Sequence, residues 1–263
     1  MRKRLILLPL LLLTATLLIS CSGSKSESWN LVWQEDFSGP VLKEDEWRVT
    51  VQGENYNNED QAYINDLDNL QVKEGSLILT CIKEPWTGVS NRNGSTAVVT
   101  QQYTSAEVNS KRSWTYGRFE IRAKAANTIG ILSALWMTPL DGDWPPEIDI
   151  MEVLGNSANT AYFTHHYGGT GEAHKQNGGH YDSSNDLSAD YHIYTVEWEA
   201  KSIRWYVDGA LLFTSTVDEG IPSEPFILRF SLPVGPDWTR NPTPASKFPQ
   251  SFYIDWVKVY QRC

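Results

Sequence analysis

The segment Ile203-Arg204-Trp205-Tyr206-Val207-Asp208-Gly209-Ala210-Leu211-Leu212-Phe213 decides the fold class. Two runs of β-branched, aromatic and aliphatic residues flank an Asp-Gly pair. Asp and Gly tolerate the positive φ angles of a two-residue hairpin turn, so the segment reads as an antiparallel hairpin. The same grammar extends outward. Asn30 to Trp33, Ser76 to Ile82, Gly117 to Ala123, Ala161 to His166, Ile193 to Trp198, Phe226 to Leu232 and Phe252 to Tyr260 are short apolar runs punctuated by Gly, Pro, Asn and Asp. Past the amino-terminal apolar run, no stretch sustains helical periodicity. The reading is all-β: two antiparallel sheets packed as a sandwich or jelly roll. Two polar stretches, Gln52 to Asn69 and Gly168 to Ser188, are predicted as long loops of the kind that usually serve function.

The chain has 263 residues and a net charge of 22 − 32 = −10. That length suits one domain. A pI near 5.0 argues against nucleic acid as a partner, because phosphate contacts need clustered Lys and Arg. The 11 Trp and 12 Tyr fit either a large β core or a platform for sugar rings, and composition does not choose.

The amino terminus reads as a targeting segment. Arg2, Lys3 and Arg4 precede an apolar run from Leu5 to Ile19, shorter than the roughly 20 residues that span a bilayer. Leu18-Ile19-Ser20-Cys21 resembles a bacterial lipobox, with Cys21 as the lipidated first mature residue. The expected organisation is a signal peptide over 1–20, a polar tether over 21–28 and a catalytic domain over 29–263. Losing three cationic residues with the leader makes the mature charge −10 − 3 = −13. The expected location is the outer membrane of a bacterium, at the cell surface or the periplasmic face, with membrane contact only through the lipid. Cys81 falls in a predicted buried strand and Cys263 is terminal. A disulfide between them and two free thiols are both open readings.

The chemistry concentrates in Glu147-Ile148-Asp149-Ile150-Met151-Glu152-Val153. Side chains alternate along a strand, so Glu147 and Asp149 share a face and Glu152 falls on the other. A β-bulge near Ile150-Met151 would return Glu152 to the first face. Three acids on one rigid face raise one another's pKa. Proteins tolerate this for metals or for acid–base work, and a strand with alternate Ile is a poor calcium loop. A pair of carboxyls suits glycoside hydrolysis, in which one attacks and the other donates a proton. The plain alternative is a solvated strand face that happens to bear acids.

Glu147-Ile148-Asp149-Ile150-Met151-Glu152 matches the E-x-D-x-x-E signature of family 16 glycoside hydrolases, in the bulged form of laminarinase-type members. Other segments resemble the family in order: Leu31 to Phe37, Asn57-Asn58-Glu59-Asp60-Gln61-Ala62-Tyr63, Tyr103 to Ala106, Tyr116 to Lys124, Trp198 through Gly209, and Ile254 to Tyr260. The resemblance implies a β-jelly roll, with Glu147 as nucleophile, Glu152 as acid/base and Asp149 as the residue that tunes their charge. It also implies substrate-binding roles for Trp136, Trp144, His166, Asn58, Glu59 and Arg118, and less strongly for Trp114 and Trp238. No cofactor is implied for catalysis. Glu35-Asp36, the Gly75 carbonyl and Asp255 lie where many members hold a structural calcium, or they are ordinary surface acids.

The chain also departs from the family. Laminarinases commonly carry Gly-x-Trp-Pro-Ala-Phe-Trp before the active site, and here the run is Gly130-Ile131-Leu132-Ser133-Ala134-Leu135-Trp136. Gly235-Pro236-Asp237-Trp238 replaces a Gly-Gly-x-Trp. The carboxylates survive while the walls change. The expected function is therefore a monomeric endo-acting β-1,3-glucanase cutting laminarin or mixed-linkage β-glucan. An endo-β-galactosidase acting on poly-N-acetyllactosamine is the alternative, and a catalytically silent sugar-binding protein is the reading from another class. A transglycosylase would use the same residues.

Overall fold

The computed structural model describes residues 28–217, 220–235 and 238–262. Residues 1–27, with the expected leader, Cys21 and nearly all of the tether, lie outside them, as does Cys263. Two antiparallel sheets pack face to face as a jelly roll. The seven-stranded sheet runs, in spatial order, His174–Asp182, Thr160–Gly168, Glu147–Leu154, Leu132–Pro139, Phe226–Ser231, Glu107–Ser110 and Trp47–Val49. The eight-stranded sheet runs Ala210–Ser215, Ser202–Val207, His192–Glu199, Gly117–Lys124, Gln250–Arg262, Ser76–Cys81 and Leu70–Lys73, with Trp29–Glu35 also paired to Gln250–Arg262. Among the described residues the only helical turns are the short 3₁₀ segments Arg92–Gly94 and Gly171–Ala173. No described helix is long and apolar enough to cross a membrane.

Period-2 alternation builds the core. In Gly117–Lys124, Phe119, Ile121 and Ala123 are fully buried, while Arg118, Glu120, Arg122 and Lys124 are half-exposed on the outer face. Leu77, Leu79, Val196, Trp198, Phe252 and Ile254 join them from the same sheet. Ile148, Met151, Phe163, Leu228 and Phe230 meet them from the other. Each such side chain contributes about 1.5–3 kcal/mol by leaving water. The Asp-Gly hairpin forms as expected: Asp208 and Gly209 have φ of 48° and 82°, so both central residues take the positive φ of a twist-matched turn.

The predicted loop Gly168 to Ser188 is largely wrong. Its centre is the edge strand His174–Asp182, paired in register from Thr160↔Asp182 to Gly168↔His174. Its polar, Gly-rich composition hid a strand whose faces are mostly solvated. A Cβ at Gly178 would stand 2.4 Å from the Phe163 carbonyl oxygen, which explains a glycine in a strand interior. Within Gln52 to Asn69, Gln61–Tyr63 forms a short strand parallel to Tyr103–Ser105, and the rest is irregular.

Candidate active site

The bulge is present. Leu135 pairs with Met151 and Trp136 with Asp149, which leaves Ile150 over. On the other side the register passes from Asp149↔Thr164 to Glu152↔Tyr162, so Ile150 and Met151 together face Phe163. Ile148, Ile150, Met151 and Val153 are buried in the sandwich, and Glu147, Asp149 and Glu152 lie on the opposite face. The bulge leaves the Asp149 carbonyl without a regular ladder partner. The indole Nε1 of Trp205, reaching from the eight-stranded sheet, donates to it at 2.8 Å.

Cross-strand rows place the neighbours of each acid. One row reads Asn109, Arg229, Trp136, Asp149, Thr164. The next reads Glu107, Ser231, Ala134, Glu152, Tyr162, His180. Glu147 stands opposite His166. His166 Nε2 is 3.1 Å from Asp149 Oδ2 and 3.7 Å from Glu147 Oε1. The nearer contact is close without being an aligned hydrogen bond, since Asp149 Oδ2 is buried with no aligned donor.

Burial is the main force on all three carboxyls and pushes each above its usual range. Asp149 pushes Glu147 and Glu152 further up. Arg229 and the Trp144 indole pull Glu147 back down, His166 pulls Asp149 down, and no cation or donor offsets Glu152. The cluster therefore holds fewer than three charges near neutrality, and Glu152 is the member with most reason to keep a proton.

Trp136 and Trp144 stand at this site. Trp136 stacks under the Arg229 guanidinium at 4.1 Å and donates to Ser231 Oγ at 3.1 Å. Trp144 is half-exposed, with its ring 6.2 Å from His166 and 5.1 Å from His174. His165, its neighbour's opposite by alternation, is fully buried, and burial pushes it down to about 4. Trp238 is half-exposed and meets Tyr162 edge-on at 5.0 Å, on the Glu152 side. Asn58 is exposed in a positive-φ turn. Glu59 is mostly buried, accepts from Gln61 Nε2 at 2.7 Å and is pushed up to about 8, chiefly by burial.

Two expectations fail. Arg118 is not in the cleft: it lies on the outer face of the opposite sheet, paired with Glu120 and Glu197 at 2.6 Å each. Its strand alternates so that only the even positions face outward. Trp114 is 8% exposed and packs into the aromatic core with Trp33 and Phe119. At the corner where calcium is expected, the acids have protein partners. Glu35 is buried and accepts from Lys43 Nζ at 3.0 Å and from the Asp36 and Phe37 amides. Asp36 caps Ser38, Gly75 closes a tight turn at φ 75°, and Asp255 is ion-paired with Arg122. Glu35 and Asp255 are thus each matched to a cation and Asp36 to the Ser38 amide.

The sequence reading missed Arg229, Glu107, Tyr162 and His174. Arg229 is ion-paired with the buried Glu107 at 2.7 Å. A lone Arg inside Phe226-Ile227-Leu228-Arg229-Phe230 was the available signal, since a charge in an apolar strand needs a partner.

A beta-glucanase of Rhodothermus marinus is 30% identical over 99% of this chain and 95% of its own length. Against two longer curated relatives, the chain spans only 38% and 35% of their length. The solved catalytic domain of an endo-1,3-beta-glucanase (laminarinase) from Thermotoga petrophila superposes with a TM-score of 0.75 at 32% identity, covering 89% of this chain and 98% of that one. A solved structure described with endo-acting O-glycanases of the human gut microbiota that initiate mucin breakdown superposes at 0.79 and 28% identity, covering 89% and 91%. Residues 57–258 match the model of glycosyl hydrolases family 16, and the chain belongs to that family.

Proposed function

We propose that this glycosidase is an endo-acting, retaining β-glycoside hydrolase whose substrate is β-1,3-glucan, as laminarin or mixed-linkage glucan. The observation that carries the reading is the bulge, which gathers three acids on one face in unequal surroundings. Arg229 and Trp144 favour the ionised form of Glu147, which suits it to attack the anomeric carbon. Glu152 lacks such support and keeps the proton that the leaving oxygen takes as the glycosidic bond breaks. The resulting glycosyl ester of Glu147 is then hydrolysed by water, with Glu152 taking back a proton. Asp149, between them and against His166, limits the charge of the cluster. Trp136, Trp144 and Trp238 supply apolar faces for sugar rings.

A second reading is an endo-glycanase for N-acetyllactosamine-type or mucin glycans. It is favoured by the neighbour with TM-score 0.79 and by the small residues Ala134 and Ser231 beside Glu152, which leave the floor low for a substituted sugar. The mature protein is read as lipid-anchored through Cys21 at the outer membrane. The test is incubation of the purified domain with laminarin, mixed-linkage glucan and poly-N-acetyllactosamine, with products sized over time and their anomeric form followed by NMR. A ladder of glucan oligosaccharides released as β-anomers supports the first reading. Cleavage of the lactosamine polymer alone selects the second. An initial α-anomer overturns the retaining mechanism.

A further inference from the structure

His166 is engaged on both of its ring nitrogens. Nε2 faces Asp149 and Glu147, and Nδ1 stands 2.9 Å from Nε2 of His174, at the start of the edge strand. The two imidazoles lie edge to edge, with centroids 5.1 Å apart and 17° between their planes, and the Trp144 ring lies 5.1 Å from His174. At 2.9 Å one proton lies between the two nitrogens, so the rings cannot both be cationic. A carboxylate at Nε2 accepts its proton whereas a protonated carboxyl donates to it, so the acids alone do not fix the tautomer, and the tautomer to account for is the one with the proton on Nε2. Its Nδ1 then either accepts from neutral His174 or, when His166 is cationic, donates to it. In both arrangements His174 is the partner that suits an Nε2 proton aimed at the acids.

We propose that His174 is a positioning residue for the glycosidase site: it holds His166 with its Nε2 proton toward Asp149 and Glu147, and so biases which acid of the cluster is ionised. The groups facing His166 are Glu147 and Asp149 from the carboxylate strand and His174 from the edge strand. Arg229 acts on Glu147 from the far side, and Gln176, opposite His166, and Trp144 carry no charge. Burial and His166 together hold His174 below the usual histidine range, in keeping with a neutral partner in both arrangements.

This rests on Glu147 and Glu152 being the catalytic pair, so the test separates the two claims. His174→Phe keeps a ring against Trp144 and removes the hydrogen bond, whereas His174→Gln keeps a polar group within reach. Imidazole ¹⁵N shifts of the substrate-free protein should show His166 protonated at Nε2 in the parent and in His174→Gln. In His174→Phe the Nδ1-protonated form should appear. On β-glucan, His174→Phe should lower kcat on the order of tenfold, as for other groups that orient a histidine. It should also displace the acidic limb of the pH profile and leave KM nearly unchanged, and His174→Gln should restore the limb. An unchanged His166 tautomer and an unchanged limb in His174→Phe would overturn the proposal. A parent protein that cuts no glycan would sink the catalytic reading instead, and the nitrogen shifts would still decide this one.

Discussion

The two outer faces of the sandwich carry similar residues to opposite ends. On the outer face of the eight-stranded sheet, Glu120, Glu197 and Glu199 meet Arg118, Arg204 and Arg262 at 2.6–2.7 Å. Tyr206 and Tyr260 add hydroxyl donors to Glu197 and Glu120. On the outer face of the seven-stranded sheet, Glu147 and Asp149 share one imidazole, Glu147 feels a guanidinium already paired with Glu107, and Glu152 has no cation at all. The Arg262 and Arg204 partners hold Glu199 below the usual range, while every acid of the trio is pushed above it. Compensated acids hold a sheet together. Uncompensated acids compete for protons, which is the property acid–base catalysis needs.

The sharpest way to break this contrast is to neutralise the acids one at a time. Glu147→Gln removes the oxygen proposed to attack and should take turnover on β-glucan below detection. Glu152→Gln should cost about 10²–10⁴-fold in kcat, least for substrates whose leaving group needs no proton. Wild-type kinetics in either variant would erase the distinction between the faces. On the eight-stranded side, Arg118→Met should leave kcat/KM unchanged while lowering stability by about 1–3 kcal/mol, because it strips partners from Glu120 and Glu197. A large loss of activity with intact stability would return Arg118 to the cleft.

A third test uses Glu59. The unfolded chain releases this proton near 4.5 and the folded chain holds it to about 8, so stability should fall as pH rises between those values. Glu59→Gln should remove that part of the fall, seen as urea midpoints that differ less across the window than in the parent. Equal slopes in the two proteins would show that Glu59 is not held protonated. The smallest effect belongs to Trp238→Ala, which should raise KM roughly tenfold, about 1.4 kcal/mol of lost ring contact, with kcat preserved.

Much of this was legible in the residues. The hairpin followed from Asp208-Gly209, and the bulge followed from asking how Glu152 could share a face with Glu147 when the count between them is odd. Strand alternation also separated His165 from His166. What the sequence concealed was partnership across long separations. Nothing near Arg118 in the chain reveals that Glu197 covers it. Trp114, bridged to Phe226 and buried, and Trp144, in an exposed bend, look alike as residues in the chain. His174 was hidden because a glycine-rich polar edge strand has the composition of a loop, and an edge strand with two wet faces leaves no periodic trace.

The indole of Trp205 ties the bulge to the far sheet. Trp205 is 1% exposed, stacks near Phe163 at 6.1 Å and belongs to the Asp-Gly hairpin's first strand. The hairpin that announces the fold thus also braces the carboxylate strand from behind, at the backbone of Asp149.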